Sequence, residues 1–192
     1  MVDIDGVVSL FGPSQPAGTT GAGVAPERRW ALSGAPLLSS GPSETPPVEG
    51  RLHAIEGIPH FLSATAAAHL LALAPLFELV WASGWEEKAN EYLPRLLGLP
   101  GPLPFLRFGE APGASASPRA HWKLDSIDGY AGERALAWID DAFSPACHDW
   151  AKARAAPTLL VSTLPDQGLT AREAELLAAW AGHHSQSGQP QE

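Results

Sequence analysis

The chain has 192 residues, a mass of 20.2 kDa and a formal net charge of -9 at pH 7. Its 45% hydrophobic and 17% charged residues predict a globular domain, and the acidic balance disfavours a surface built to hold nucleic-acid phosphates. No apolar run approaches the roughly 20 residues that span a bilayer, and no signal-peptide pattern opens the sequence. The single cysteine, Cys147, excludes an intrachain disulfide. We therefore expect a cytoplasmic protein.

The N-terminal quarter of the chain predicts one strand followed by an unstructured insert. Residues 2–8 are mostly apolar and favour a short strand that runs into a turn at Gly6. Residues 12–50 are rich in Pro, Gly, Ser and Thr and show no apolar period, which indicates a flexible insert rather than a folded cap. We therefore expect a single domain over residues 1–182, interrupted by this insert and followed by a polar tail at 183–192.

The rest of the chain predicts helices that alternate with strands. Helices are expected over 63–74 with Ser63 or Thr65 as N-cap, over 86–97, from near Lys123, from Pro145 to about Ala155, and over 171–182 with a Thr170–Glu173 capping box. Apolar runs predict strands at 77–82, 103–108, 135–140 and 158–162, and a second flexible loop is expected at 110–118. Such alternation predicts an α/β fold with a parallel sheet and helices on both faces.

Polar residues stand where these predicted strands end. In parallel sheets the ligand site lies beyond the carboxyl ends of the strands, so these residues are expected at one edge. They are Asp3 and Asp5 after the first strand, Ser83 and Gly84 after the second, Asp140 and Asp141 after a later one, and Lys123 near a helix start.

Four carboxylates brought to one edge repel each other unless they take up protons or bind a cation. An oxygen-rich site of this kind suits a hard cation, and we predict Mg²⁺. The seven histidines have no zinc-ligand spacing. A metal ion, a lysine and a hydroxyl group around a carboxylate favour chemistry on a phosphoryl group.

The same residues resemble the four motifs of the haloacid-dehalogenase (HAD) superfamily. Asp3-Ile4-Asp5-Gly6-Val7 is similar to the first motif, and Val80-Trp81-Ala82-Ser83 to the second. Lys123 is placed like the third-motif lysine, and Ala137-Trp138-Ile139-Asp140-Asp141 resembles the fourth motif. The resemblance covers residues 2–141 and extends to about residue 182. It implies a three-layer Rossmann-like HAD fold with a central parallel sheet and a minimal cap or none.

A narrower resemblance is to small bacterial HAD proteins related to the HAD domain of RNA-repair proteins. The stretches that carry it are 80–86, 87–93, 121–123, 138–141 and 168–170.

The HAD resemblance implies a magnesium-dependent phosphatase. Asp3 would be the nucleophile that forms an aspartyl-phosphate, and Asp5 would protonate the leaving oxygen and then activate water. Ser83, the Gly84 amide and Lys123 would bind the phosphate, and Lys123 would also orient Asp3. The implied metal site combines the Asp3 carboxylate, the Asp5 backbone carbonyl, Asp140 and Asp141, the last directly or through water.

Three functions remain open from the sequence. The first is hydrolysis of a small phosphate ester. The second is processing of a nucleic-acid end, which the RNA-repair resemblance suggests and the acidic charge disfavours. The third is a non-catalytic HAD-fold binding or regulatory module, motivated by a first strand with only Met1 and Val2 before Asp3. Trp85 and Trp122 stand beside Ser83 and Lys123 and either line the substrate pocket or pack in the core.

Overall fold

A computed structural model of the chain describes residues 1–11, 48–108 and 122–186. Nearly all of the predicted insert at 12–50, the whole predicted loop at 110–118, and residues 187–192 of the predicted tail lie outside these ranges. Across the described ranges, none of the helices is both long and apolar enough to cross a bilayer.

The described residues form a mixed α/β structure. Its helices are α1 (Ala64–Leu73), α2 (Lys88–Leu97), α3 (Leu124–Ala131), α4 (Pro145–Ala153) and α5 (Ala171–Gln186). Its strands are β1 (Ser9–Leu10), β2 (Gly50–Ile55), β3 (Ile58–Ser63), β4 (Leu136–Asp140) and β5 (Thr158–Ser162).

Parallel pairing connects the segments predicted as strands. β4 and β5 pair in parallel, from Leu136 opposite Thr158 to Asp140 opposite Ser162. Val2 forms parallel bridges to both Trp81 and Ile139, and Trp81 forms another to Phe105. Each of the predicted strands at 2–8, 77–82 and 103–108 is therefore reduced to one residue that bridges in parallel to its neighbours, and these residues are Val2, Trp81 and Phe105. The two later strands form as predicted.

Alternate residues of these parallel segments pack into two separate apolar cores, as the period of two in a strand requires. The first core receives Val2, Trp81, Ile139 and Val161 together with residues of α1, α2 and α5. The second core receives Val80, Ala82, Leu136 and Trp138 together with residues of α3 and α4. Each face of the parallel segments thus packs against helices.

A second, antiparallel sheet was not predicted. Its strand order is β1-β3-β2, with β2 and β3 joined as a hairpin in which Ile55 faces Ile58. The two residues of the hairpin turn, Glu56 and Gly57, have φ angles of 51° and 81°. Positive φ at both positions is what a tight hairpin turn with the right-handed strand twist demands.

The predicted helices all form, with small differences at their ends. Ser63, not Thr65, caps α1, because its hydroxyl accepts a 3.0 Å hydrogen bond from the Ala66 amide. The Glu173 carboxylate accepts hydrogen bonds from the amide and hydroxyl of Thr170 at the start of α5. α5 continues to Gln186, beyond the predicted end at residue 182.

Gly168 fits the turn before α5 because it has no side chain. Its φ is +67°, and a Cβ built there would lie against the Val7 carbonyl oxygen and 2.5 Å from Leu10 Cδ2. We expect Gly168→Ala to lower the free energy of unfolding by about 2–4 kcal/mol, because left-handed backbone strain adds to a clash with main chain. Urea denaturation measures this loss. Gly182→Ala, on α5 with open space around the new methyl group, is the matched control and should be neutral or mildly stabilising. Equal effects of the two changes would contradict the account.

Candidate functional site

The backbone of residues 1–3 lies between the segments that precede Ser83 and Asp140. The Val2 amide donates to the Val80 carbonyl at 2.8 Å, and the Ala82 amide donates to the Val2 carbonyl at 2.8 Å. The Asp3 amide donates to the Ile139 carbonyl at 3.0 Å. Because the three segments are parallel and in register, the residues that follow them emerge at the same edge. The pairing of this short first segment therefore places Asp3 beside Asp140.

Lys123 bridges two aspartates at this edge. Its Nζ lies 2.8 Å from Asp3 Oδ2 and 2.7 Å from Asp140 Oδ2. All three side chains are at least nine-tenths buried. Lys123 immediately precedes α3 and reaches these carboxylates from outside the parallel segments. The predicted approach of Lys123 to Asp3 and Asp140 is thus present in the structure.

A third carboxylate, from Asp141, completes the group. Oxygen atoms of Asp3, Asp140 and Asp141 all lie within 4.8 Å of one another, and we call these three residues the carboxylate cluster. Asp141 packs against Gly6, where a Cβ would lie 2.7 Å from Asp141 Cβ and closer still to its carboxylate. Gly6 has a φ of +70° and therefore serves both the turn after Asp3 and the space that Asp141 needs.

The carboxylate cluster carries more negative charge than Lys123 neutralises. Burial raises the pKa of Asp3 to about 7, with the Asp140 carboxylate adding to the rise and the Lys123 ammonium opposing it. Burial and the neighbouring Asp140 also raise the pKa of Asp141. Burial alone would lower the pKa of Lys123, but Asp3 and Asp140 outweigh it and the net direction is upward. One ammonium among three carboxylates leaves room for a further cation.

This charge excess predicts a pH dependence of stability in the metal-free protein. The folded Asp3 keeps a proton up to a pKa of about 7, whereas the ordinary pKa of an aspartate carboxyl is 3.8. Binding of this proton therefore stabilises the folded state fully below pH 3.8, and the stabilisation is lost as the pH rises to about 7. We expect the free energy of unfolding of wild type, relative to Asp3→Asn, to fall by roughly 2 kcal/mol from pH 5 to pH 8 in chelator. Thermal unfolding of both proteins across this range measures it. A difference that stays constant with pH would contradict the assignment.

The Asp5 carboxylate is held by an indole. Trp85 Nε1 donates a 3.0 Å hydrogen bond to Asp5 Oδ2. The His60 ring meets the Trp85 ring edge to face at 4.8 Å, and Ser9 Oγ lies 3.0 Å from His60 Nδ1. The antiparallel sheet thus supports the orientation of Asp5.

Ser83 and Gly84 follow the Trp81 segment at the same edge. Ser83 is buried, and its carbonyl accepts a 3.0 Å hydrogen bond from the Glu86 amide, which closes a turn. Gly84 is exposed, and a Cβ there would lie 3.5 Å from the Trp122 ring. Gly84 is therefore next to the residue that precedes Lys123.

Sequence reasoning missed Thr163. This buried residue follows β5, and its Oγ1 donates a 2.8 Å hydrogen bond to the Gly6 carbonyl. Its amide donates to the Asp140 carbonyl at 3.2 Å. Thr163 therefore links the turn after Asp3 to the end of β4. The available signal was its position just past β5, since the other predicted site residues follow strands in the same way.

Comparisons with protein-family models, with curated proteins and with solved structures each find no match to this chain.

Proposed function

We propose that this chain is a magnesium-dependent phosphohydrolase of the HAD type that acts through an aspartyl-phosphate on Asp3. The observation that carries the proposal is the carboxylate cluster with Lys123 Nζ 2.8 Å from Asp3 and 2.7 Å from Asp140. A structural ion pair needs one acid and one base. Three carboxylates around one lysine leave a charge excess that suits a site for a metal ion and a phosphoryl group.

The proposal includes the three-layer HAD core. The parallel bridges that join Phe105, Trp81, Val2 and Ile139, together with the β4–β5 pairing, support a single parallel sheet. The division of their side chains between two apolar cores supports helical layers on both faces. This arrangement accounts for why Asp3, Ser83 and Asp140, far apart in the chain, emerge at one edge.

In the first step, an oxygen of Asp3 attacks phosphorus and the bond from phosphorus to the ester oxygen breaks. The bonding electrons stay on the departing oxygen, which takes a proton from Asp5. Lys123 holds Asp3 in place and faces the incoming phosphoryl charge, and Ser83 with the Gly84 amide binds phosphoryl oxygens.

In the second step, Asp5 takes a proton from water as the water oxygen bonds to phosphorus. The bond from phosphorus to Asp3 breaks, and free phosphate leaves with Asp3 regenerated. The hydrogen bond from Trp85 fixes one oxygen of Asp5 and leaves the other to exchange the proton. Together the two steps consume one phosphate ester and one water molecule and release one alcohol and one phosphate.

The carboxylate cluster fits Mg²⁺ because all its donors are hard, anionic oxygens within reach of one ion. Asp3, Asp140 and Asp141 would hold it, with the Asp5 backbone carbonyl as the ligand that the HAD resemblance implies. When bound, Mg²⁺ neutralises phosphoryl charge and favours the ionised nucleophile. Lys123 alone supplies only part of that neutralisation.

The experiment that tests the proposal is hydrolysis of an aryl phosphate at neutral pH by wild type, with Mg²⁺ and with chelator. We expect turnover with Mg²⁺ that chelator abolishes and added Mg²⁺ restores. A folded protein that binds Mg²⁺ without turnover would favour the binding or regulatory module instead. Turnover that persists in chelator would contradict the role of the carboxylate cluster.

A further inference from the structure

One large aromatic side chain beside the carboxylate cluster is left partly open to solvent. Trp122, which immediately precedes Lys123, is 39% exposed. Its ring is nevertheless held in place. Phe108 meets it edge to face, with ring centroids 4.5 Å apart at an angle of 70°. A Cβ at Gly84 would stand 3.5 Å from the indole, at ordinary van der Waals contact, so this residue lies beside the ring.

The position of this ring relates directly to the proposed nucleophile. The Trp122 centroid is 5.7 Å from Lys123 Nζ, and that nitrogen is 2.8 Å from Asp3 Oδ2. A phosphoryl group at Asp3 would therefore have its ester group within reach of the indole. Gly84, proposed to bind the phosphate, lies beside the same ring, so the proposed phosphate site and the aromatic surface are neighbours.

The surface of the Trp122 ring favours a particular kind of ester group. The described side chains next to the ring are Phe108 and Lys123, and Lys123 in turn contacts Asp3 and Asp140. A flat aromatic group gains the most binding free energy from a fixed indole, because offset stacking brings the faces of the two rings into contact. A branched or hydroxylated aliphatic group contacts less of the ring and gains less.

We propose that Trp122 is a stacking platform that selects phosphate monoesters bearing a planar aromatic group close to the phosphate. This inference rests on the proposed function and names the substrate class of the same site. The shared chemistry is a flat aromatic ring, which a simple aryl ester or the base of a nucleotide can supply. Trp122 acts on binding of the ester group and takes no part in bond breaking.

The test is equilibrium binding and turnover with matched ligands. Calorimetry in Mg²⁺ compares phenylphosphonate with methylphosphonate, and kinetics compares an aryl phosphate, a nucleoside 5′-monophosphate and glycerol phosphate. We expect wild type to prefer the aromatic member of each set, and Trp122→Ala to reduce that preference at least about fivefold, since stacking on one aromatic side chain is worth that much or more. Trp122→Phe should keep most of the preference, which a merely structural role would not predict.

Leu176→Ala, a change at an exposed apolar side chain of α5, is the control and should leave the preference intact. An unchanged aromatic-to-aliphatic ratio in Trp122→Ala would overturn the inference. If only the aryl ester or only the nucleotide loses its advantage, that ligand is the one that stacks. The binding measurements distinguish this inference from the proposed function. If aromatic ligands bind more tightly but no ester is hydrolysed, the stacking role of Trp122 stands and the phosphatase is rejected. If esters are hydrolysed with no aromatic preference, the phosphatase stands and the stacking role is rejected.

Discussion

Asp3→Asn is expected to lower the turnover of an aryl phosphate at least about 1000-fold while the protein stays folded, because loss of a nucleophile removes the covalent route and leaves only binding and charge stabilisation. The raised pKa of Asp3 shows that its ionised form is disfavoured in the metal-free protein, so an uncharged amide of the same shape is tolerated. Thermal unfolding in chelator above neutral pH should show a midpoint equal to or above that of wild type. Steady-state kinetics in Mg²⁺ measures the activity.

Two outcomes would contradict this expectation. Retention of more than a small share of the activity by Asp3→Asn would remove Asp3 from the mechanism. A large drop in the unfolding midpoint at alkaline pH would show that the Asp3 carboxylate stabilises the fold.

Lys123→Met is expected to cost both stability and activity. The methionine keeps the apolar length of the side chain but leaves the carboxylates of Asp3 and Asp140 buried without their shared cation. Breaking a buried pair by removing one partner destabilises by about 3–5 kcal/mol. Because Mg²⁺ can replace part of the lost charge, added Mg²⁺ should raise the unfolding midpoint of the variant more than that of wild type.

Lys88→Met is the matched control. Lys88 also pairs with a carboxylate at 2.9 Å, that of Glu56, but both side chains are more than half exposed. Exposed pairs of this kind contribute little to stability. We expect only a minor shift in the midpoint and no response to Mg²⁺ beyond that of wild type. Urea titrations of both variants make the comparison, and equal losses would mean that the burial of Lys123 has no energetic consequence.

Elements whose ends are fixed by local chemistry could be predicted from the sequence. The apolar run of β5 and the Ser63 cap of α1 are examples, since both depend on neighbouring residues alone. The hairpin of β2 and β3 was missed because Glu56-Gly57 is not one of the usual Asn-Gly or Asp-Gly turn pairs, and a non-glycine residue at positive φ gives no sequence signal.

Part of the candidate site could likewise be predicted from the sequence, and part could not. Asp3 and Asp140 could be predicted to meet because parallel strands bring their carboxyl ends to one edge. Lys123, which precedes a helix, was placed with them by its resemblance to the third-motif lysine. The hydrogen bond from Trp85 to Asp5 and the contact of Asp141 with Gly6 could not be predicted. These contacts depend on how a turn and a loop pack together. Side chains that are close in space but distant in the chain produce no periodic pattern in the sequence.

The measurement that tests the central claim most directly is chemical capture of the phosphorylated enzyme. Asp5→Asn should slow the second step, in which Asp5 activates water, more than the first step with a good aryl leaving group. Acid quenching of this variant after mixing with aryl phosphate and Mg²⁺, followed by mass spectrometry of the N-terminal peptide, should find one phosphoryl group on Asp3, and none in Asp3→Asn. Release of product with no phosphoryl group on Asp3, or with one on another residue, would contradict the account.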